Sequence, residues 1–205
     1  RRGLRMILTL ARREWRAGLL TPLGWVLLAA NQAVLGWIFL QVLERFTGLE
    51  AAKRSVGLTL ELSLNLWGFA AALTLLSAPL LAARMFAGER HEGSANLLGA
   101  APVALVAMVL GKYLGLVGLL TLVCLIPGLL TLTLTGAVTL DPGLLAAATL
   151  GLWLATLMFA AVGLFASSLS AQPGVALVAA YGILILFSVV GQAGRVFSPT
   201  TGLFD

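Results

Sequence analysis

The chain has 205 residues, 60% of them hydrophobic and 10% charged, whereas a soluble domain is nearer about a quarter charged. Its 13 Lys and Arg against 8 Asp and Glu leave a net charge of +5, but the basic side chains are not grouped with stacking aromatics, which argues against binding nucleic acid. The one cysteine, Cys124, rules out an intrachain disulfide and reads as a small packing residue in an apolar run. Long uncharged runs point to an all-α, polytopic membrane protein with the lipid bilayer as its solvent.

Residues 4–20, LRMILTLARREWRAGLL, are amphipathic. At about 100° per residue, Leu4, Ile7, Leu8, Ala11 and Trp15 fall on one face and Arg5, Arg12, Arg13 and Arg16 on the other. That is the pattern of a helix lying in the membrane interface; a basic helix solvated on a bundle surface carries it too. The run is not a cleavable signal, because the apolar stretch after it is too long and lacks a small-residue cleavage site. TPLGW at 21–25 then turns the chain into the bilayer, with Thr21 placed to cap and Pro22 at the first helical position.

Five apolar spans follow, at 23–42, 62–83, 112–135, 144–167 and 175–194. Each can cross a core of about 30 Å at about 1.5 Å per residue. The third apolar region, from Ala104 to Thr135, is too long for one straight crossing. Lys112 and Tyr113 predict that residues 104–110 form a separate interfacial helix ahead of the span, and Pro127 predicts a kink. With the N-terminus inside, Arg1, Arg2, Arg5, Arg12, Arg13, Arg16, Arg84, Arg90 and Lys112 lie on the inner side, against Arg45, Lys53, Arg54 and Arg195 outside. That bias sets the N-terminus and residues 85–103 in the cytoplasm. Five spans leave the C-terminus outside, and a sixth span is expected to be missing from this sequence.

Enzyme chemistry is hard to assemble. HEGSA at 91–95 starts like a zinc-protease motif, but position 95 is Ala and His91 is the only histidine. The acids Asp141 and Asp205 form no pair. LGKYLG at 110–115 contains Gly-Lys, but Val106 and Tyr113 break the P-loop pattern. We expect no catalytic residue, no metal site and no cofactor bound by this chain. Polarity within the spans is modest: Asn31, Gln32, Thr121 and Tyr181, with Thr131 and Ser188. Such groups either bond across helices or line a path, and both readings stand.

Several stretches in order resemble the permease subunits of ABC-2 type transporters, nearest the gliding-motility and nitrous-oxide-reductase-maturation branch. They are LARREW at 10–15 before TPLGW, RMFAGERHEGSANLLGAAPV at 84–103, LGKYLG at 110–115 and GLFASSLS at 163–170. The resemblance implies a fold of six spans in two copies, homo- or heterodimeric, with a path lined by spans one, two and five. It implies that residues 85–103 form a coupling loop docked on a separate cytoplasmic ABC ATPase, which binds the ATP and Mg. The residues suit that role. Glu89, Arg90 and Glu92 can make contacts at a wet rim, Gly93 gives a turn, and Ser94 caps a short helix. Leu97 and Leu98 offer a knob to a groove, and Pro102 stops the helix. The chain departs from the family by ending at Asp205, where VFSPTTGLFD resembles the start of a broken outer helix. The implied function is a permease of an ATP-driven exporter in a bacterial inner membrane. The rivals are an energy-independent membrane scaffold or assembly subunit and an intramembrane enzyme.

Overall fold

The basic, leucine-rich start winds into one helix, α1 (Arg2–Leu20). Only Thr21 separates it from α2 (Pro22–Thr47), which Pro22 opens. The expectation that Thr21 caps α2 is corrected: its hydroxyl donates to the Gly18 carbonyl at 2.9 Å and so finishes the last turn of α1. The corner is tight, since a Cβ on Gly24 would run into the Gly18 carbonyl oxygen. The computed structural model describes residues 2–47, 57–88 and 105–196.

The second apolar run starts at α3 (Leu58–Leu62), passes through a π-turn (Ser63–Trp67) and continues as α4 (Gly68–Ala82). A second π-turn (Arg84–Gly88) closes it. Thus the run begins four residues before the expected 62 and is not uniformly α-helical. Asn65 in the first π-turn donates to the Glu61 carbonyl at 2.9 Å and to its carboxylate at 3.2 Å, which lets that acid sit at the end of an apolar helix.

The third run corrects a second expectation. A single helix, α5 (Leu105–Leu132), replaces the interfacial helix plus a span from 112, and it passes Pro127 without interruption. Lys112 does not break it because its charge is neutralised inside the protein, as described below. Thr131, one turn after Pro127, donates to the Pro127 and Gly128 carbonyls at 3.0 and 2.9 Å. The turn out of α5 needs a positive φ at Gly136 (102°). Asp141 then caps α6 (Pro142–Leu169), accepting from the Gly143 and Leu144 amides, with Pro142 next in line. The last helix is α7 (Pro173–Val196).

Among the described residues, five helical runs are long and apolar enough to cross a bilayer: Pro22–Thr47, Leu58–Ala87, Val106–Leu132, Pro142–Leu169 and Pro173–Val190. The chain is an all-α polytopic membrane protein. Its outer surface agrees with that: Trp25, Trp37, Leu40, Leu64 and Phe187 are exposed, as side chains facing lipid can be. The interior holds two main clusters. One joins Leu35, Phe39, Leu62, Leu66, Trp67, Val123 and Leu152 around the start of the second run. The other joins Ala78, Ala82, Leu116, Leu120, Phe159, Ala160 and Leu184 near its end.

Glycines set the closest approaches. On α5, a Cβ at Gly111 would lie 2.6 Å from the Leu10 Cβ, and one at Gly115 would lie 2.6 Å from the Glu14 Cβ. Trp15 lies over Gly118, and Gly18 faces Leu119. The two residue numbers advance together, so α1 runs alongside α5 in the same direction, backbone against backbone. Ile7 and Ala11, from the apolar face of α1, are taken up by this seam, while Leu8 and Trp15 stay partly exposed beside the arginines. On α6, Gly163 likewise brings the backbone against Pro79 and Ala82 of α4.

Candidate functional site

Both glycine seams lead to the end of the bundle where the second π-turn stands. Ser167 lies one turn beyond Gly163 on α6 and is fully buried. Its Oγ accepts from the amides of Phe86 and Ala87, both at 3.1 Å, and donates to the Ala83 carbonyl at 3.2 Å. Two backbone amides and one carbonyl at the end of the second run thus converge on one buried hydroxyl.

Lys112 lies between Gly111 and Gly115 on α5, with its side chain only 4% exposed. A buried ammonium is costly unless it is paired and hydrogen-bonded. Its Nζ donates to the Glu14 carboxylate at 3.3 Å and to the Met85 carbonyl at 2.9 Å, and lies 5.2 Å from the centre of the Phe86 ring. Glu14, 15% exposed, comes from α1. Thus residues 85, 86 and 87 are each held, by Lys112 of α5, itself paired with Glu14 of α1, on one side and by Ser167 of α6 on the other. The sequence alone does not reveal this joint: nothing local marks Glu14 or Ser167, and Lys112 reads as the edge of a span. The small residues at 111, 115 and 118 were the available signal.

The expected docking residues Glu89, Arg90, Glu92, Gly93, Ser94, Leu97, Leu98 and Pro102 lie outside the described residues. The polar residues within the spans are described, and they do not gather. Asn31 is buried on α2 and its Nδ2 donates to the Leu27 carbonyl at 2.7 Å and to Ser77 Oγ on α4 at 3.2 Å. Gln32 beside it is exposed. Thr121 donates to the Val117 carbonyl at 2.7 Å and accepts from Trp153 of α6 at 3.4 Å. Tyr181 on α7 donates to the Leu76 carbonyl at 2.6 Å, three residues before Pro79, whose missing N–H disturbs that turn of α4.

The bundle contains cavities among the described residues. One of about 880 Å³ lies between α5 and α6 towards the Gly136 turn, with Trp67, Cys124, Thr131 and Trp153 in its wall. Another of about 510 Å³ lies between α4 and α7, with Leu76, Tyr181 and Ser188 in its wall. Asn31 and Thr121 line neither. Asn31 keeps its Oδ1 buried without a partner among the described residues. Asn31→Leu therefore loses one cross-helix bond, worth about 0.6 kcal/mol on average in membrane proteins, and removes a costly orphan oxygen. The expected net change is under about 1 kcal/mol, read by unfolding in detergent; a loss above about 2 kcal/mol would show that Asn31 holds α2 to α4.

Membrane-length helices tied together at one end by buried polar contacts define a multi-pass membrane protein. The chain belongs to the ABC-2 family transporter proteins, whose family pattern matches residues 8–200. It is therefore a permease component of an ABC transporter, and such components associate with ABC ATPase subunits and are generally not catalytic themselves. No curated protein matches the chain.

Proposed function

We propose that the chain is the transmembrane subunit of an ATP-driven exporter in a bacterial cytoplasmic membrane, with its N-terminus inside and a second permease copy as partner. Within the family, its motifs resemble those of the gliding-motility and nitrous-oxide-reductase-maturation permeases. Residues 85–103 dock on a separate cytoplasmic ATPase through Glu89, Arg90, Glu92, Leu97 and Leu98, and that subunit carries the ATP and Mg. One observation supports this above the others: LARREW, RMFAG, LGKYLG and GLFASSLS, far apart in sequence, meet around the π-turn that leads into residues 89–104. An ordinary solvated loop has no need of such anchoring. ATP can drive movement only if the ATPase binds two arrangements of the helices with different affinity.

Purification from native membranes in mild detergent tests this. About one ATPase per permease supports it, and none at all favours the energy-independent scaffold. Leu97→Asp puts a charge into an apolar contact and Glu89→Lys reverses one at its rim. At least about 2 kcal/mol for the former, roughly thirtyfold in affinity, is the scale of an anchor residue. Both variants are expected to insert normally and to lose the ATPase, and wild-type retention by both would remove these residues from the interface.

A further inference from the structure

We infer that Lys112, Glu14 and Ser167 form a transmission joint, through which displacement of the π-turn Arg84–Gly88 is passed on to α1, α5 and α6. The inference rests on the coupling reading above and adds which residues carry the motion onward. Three features carry it. Successive backbone groups at 85, 86 and 87 are gripped from different helices, so the turn cannot shift without pulling on them: Met85 by Lys112, Phe86 and Ala87 by Ser167. The grip is dry, with Ser167 fully buried and Lys112 nearly so, so water does not readily replace a stretched bond. Each gripping residue sits beside a glycine seam: Lys112 between Gly111 and Gly115 against α1, and Ser167 one turn from Gly163 against α4. A helix in backbone contact with its neighbour moves with it as a rigid unit, because close-packed interfaces do not deform continuously.

These are positioning residues, and the test must separate transmission from mere stability. Spin labels are placed on α1 at Arg16→Cys, on the π-turn at Arg84→Cys and at the far end of α6 at Ala147→Cys, all exposed positions, with Cys124→Ala removing the native thiol. The permease is purified with its ATPase, put into nanodiscs, and measured with and without a non-hydrolysable ATP analogue. In the otherwise unaltered chain the distance from 16 to 84 is expected to stay fixed while that from 16 to 147 changes with nucleotide. In Ser167→Ala, which removes a single oxygen, and in Lys112→Met, the ATPase stays bound and hydrolyses ATP. The nucleotide-driven shift in the 16 to 147 population falls at least about fivefold, the low end of ordinary coupling between sites, and Lys112→Arg restores part of it. A shift of unaltered size in both Ser167→Ala and Lys112→Met, with the ATPase bound, overturns the joint and leaves the coupling reading intact. Absence of any ATPase from the unaltered chain overturns both.

Discussion

Gly115→Leu is expected to detach α1 from the bundle, and Gly115→Ala to loosen it. A Cβ at this position lies 2.6 Å from the Glu14 Cβ and 3.0 Å from the Ala11 carbonyl oxygen, well inside the roughly 3.5–4.0 Å at which carbon atoms attract. Neither neighbour can turn away, since one is a backbone atom and the other is fixed to it. The helices must therefore separate by about an ångström even for alanine, at a cost of about 1–3 kcal/mol. Leucine cannot fit without undoing the seam, and the separation also pulls Glu14 away from Lys112. The readout is trypsin: Arg12, Arg13 and Arg16 are exposed, but on a docked helix they are poor substrates. Cleavage there is expected to rise at least about tenfold in Gly115→Leu, the factor that matches about 1.4 kcal/mol of easier opening. Gly151→Leu is the control, because a Cβ there meets nothing within 4 Å. Equal cleavage in the two variants would show that the glycine seam does not hold α1.

The seam also explains why this end of the molecule is built from small residues. Apolar side chains gain little by leaving lipid for another helix, so close approach, dispersion and hydrogen bonds must hold membrane helices together. Gly111, Gly115 and Gly163 supply the approach, and Lys112 and Ser167 supply the bonds. The opposite end of the bundle uses larger groups, with Trp67 donating to Thr149 of α6 at 3.2 Å.

Much of this architecture was legible in the sequence, and the exceptions have physical causes. Uncharged runs located the five helices among the described residues that are long and apolar enough to cross, because in a bilayer hydropathy and length together nearly decide the matter. The amphipathic start was legible as a helix, but not that α5 would claim part of its apolar face. The start of α5 was misplaced because Lys112 was judged by its own charge. Its neutralising partner, Glu14, stands 98 residues away, and no local pattern reveals such a pair. The π-turns at Ser63–Trp67 and Arg84–Gly88 have no composition of their own and arise from tertiary contacts such as those of Ser167. Asn31, Thr121 and Tyr181 were visible as polar residues in apolar spans, but only coordinates show that they bond to three different helix pairs.

Removing Glu14 is expected to harm the protein more than removing Lys112, and removing both less than removing Glu14 alone. Glu14→Leu takes a carboxylate away from the ammonium of a side chain that is only 4% exposed, while its other contacts, the Met85 carbonyl and the Phe86 ring among them, remain. Breaking a buried pair in this way costs about 3–5 kcal/mol. Lys112→Met fills the same space with an unbranched chain and leaves the carboxylate of Glu14, which at 15% exposed keeps some contact with solvent. A loss nearer about 2 kcal/mol is expected, the carboxylate being partly solvated and the Met85 carbonyl losing a donor. The double variant buries no charge, so a loss of about 1 kcal/mol or a slight gain is expected, because apolar replacements of buried pairs are often neutral or stabilising. The double-mutant cycle, by denaturant unfolding in one detergent, is thus expected to give a coupling energy of at least about 4 kcal/mol. The coupling should change little with added salt, since a dry pair is poorly screened. A coupling below about 0.5 kcal/mol would place the pair with exposed ion pairs that contribute almost nothing, and α1 would then be held by the glycine seam alone.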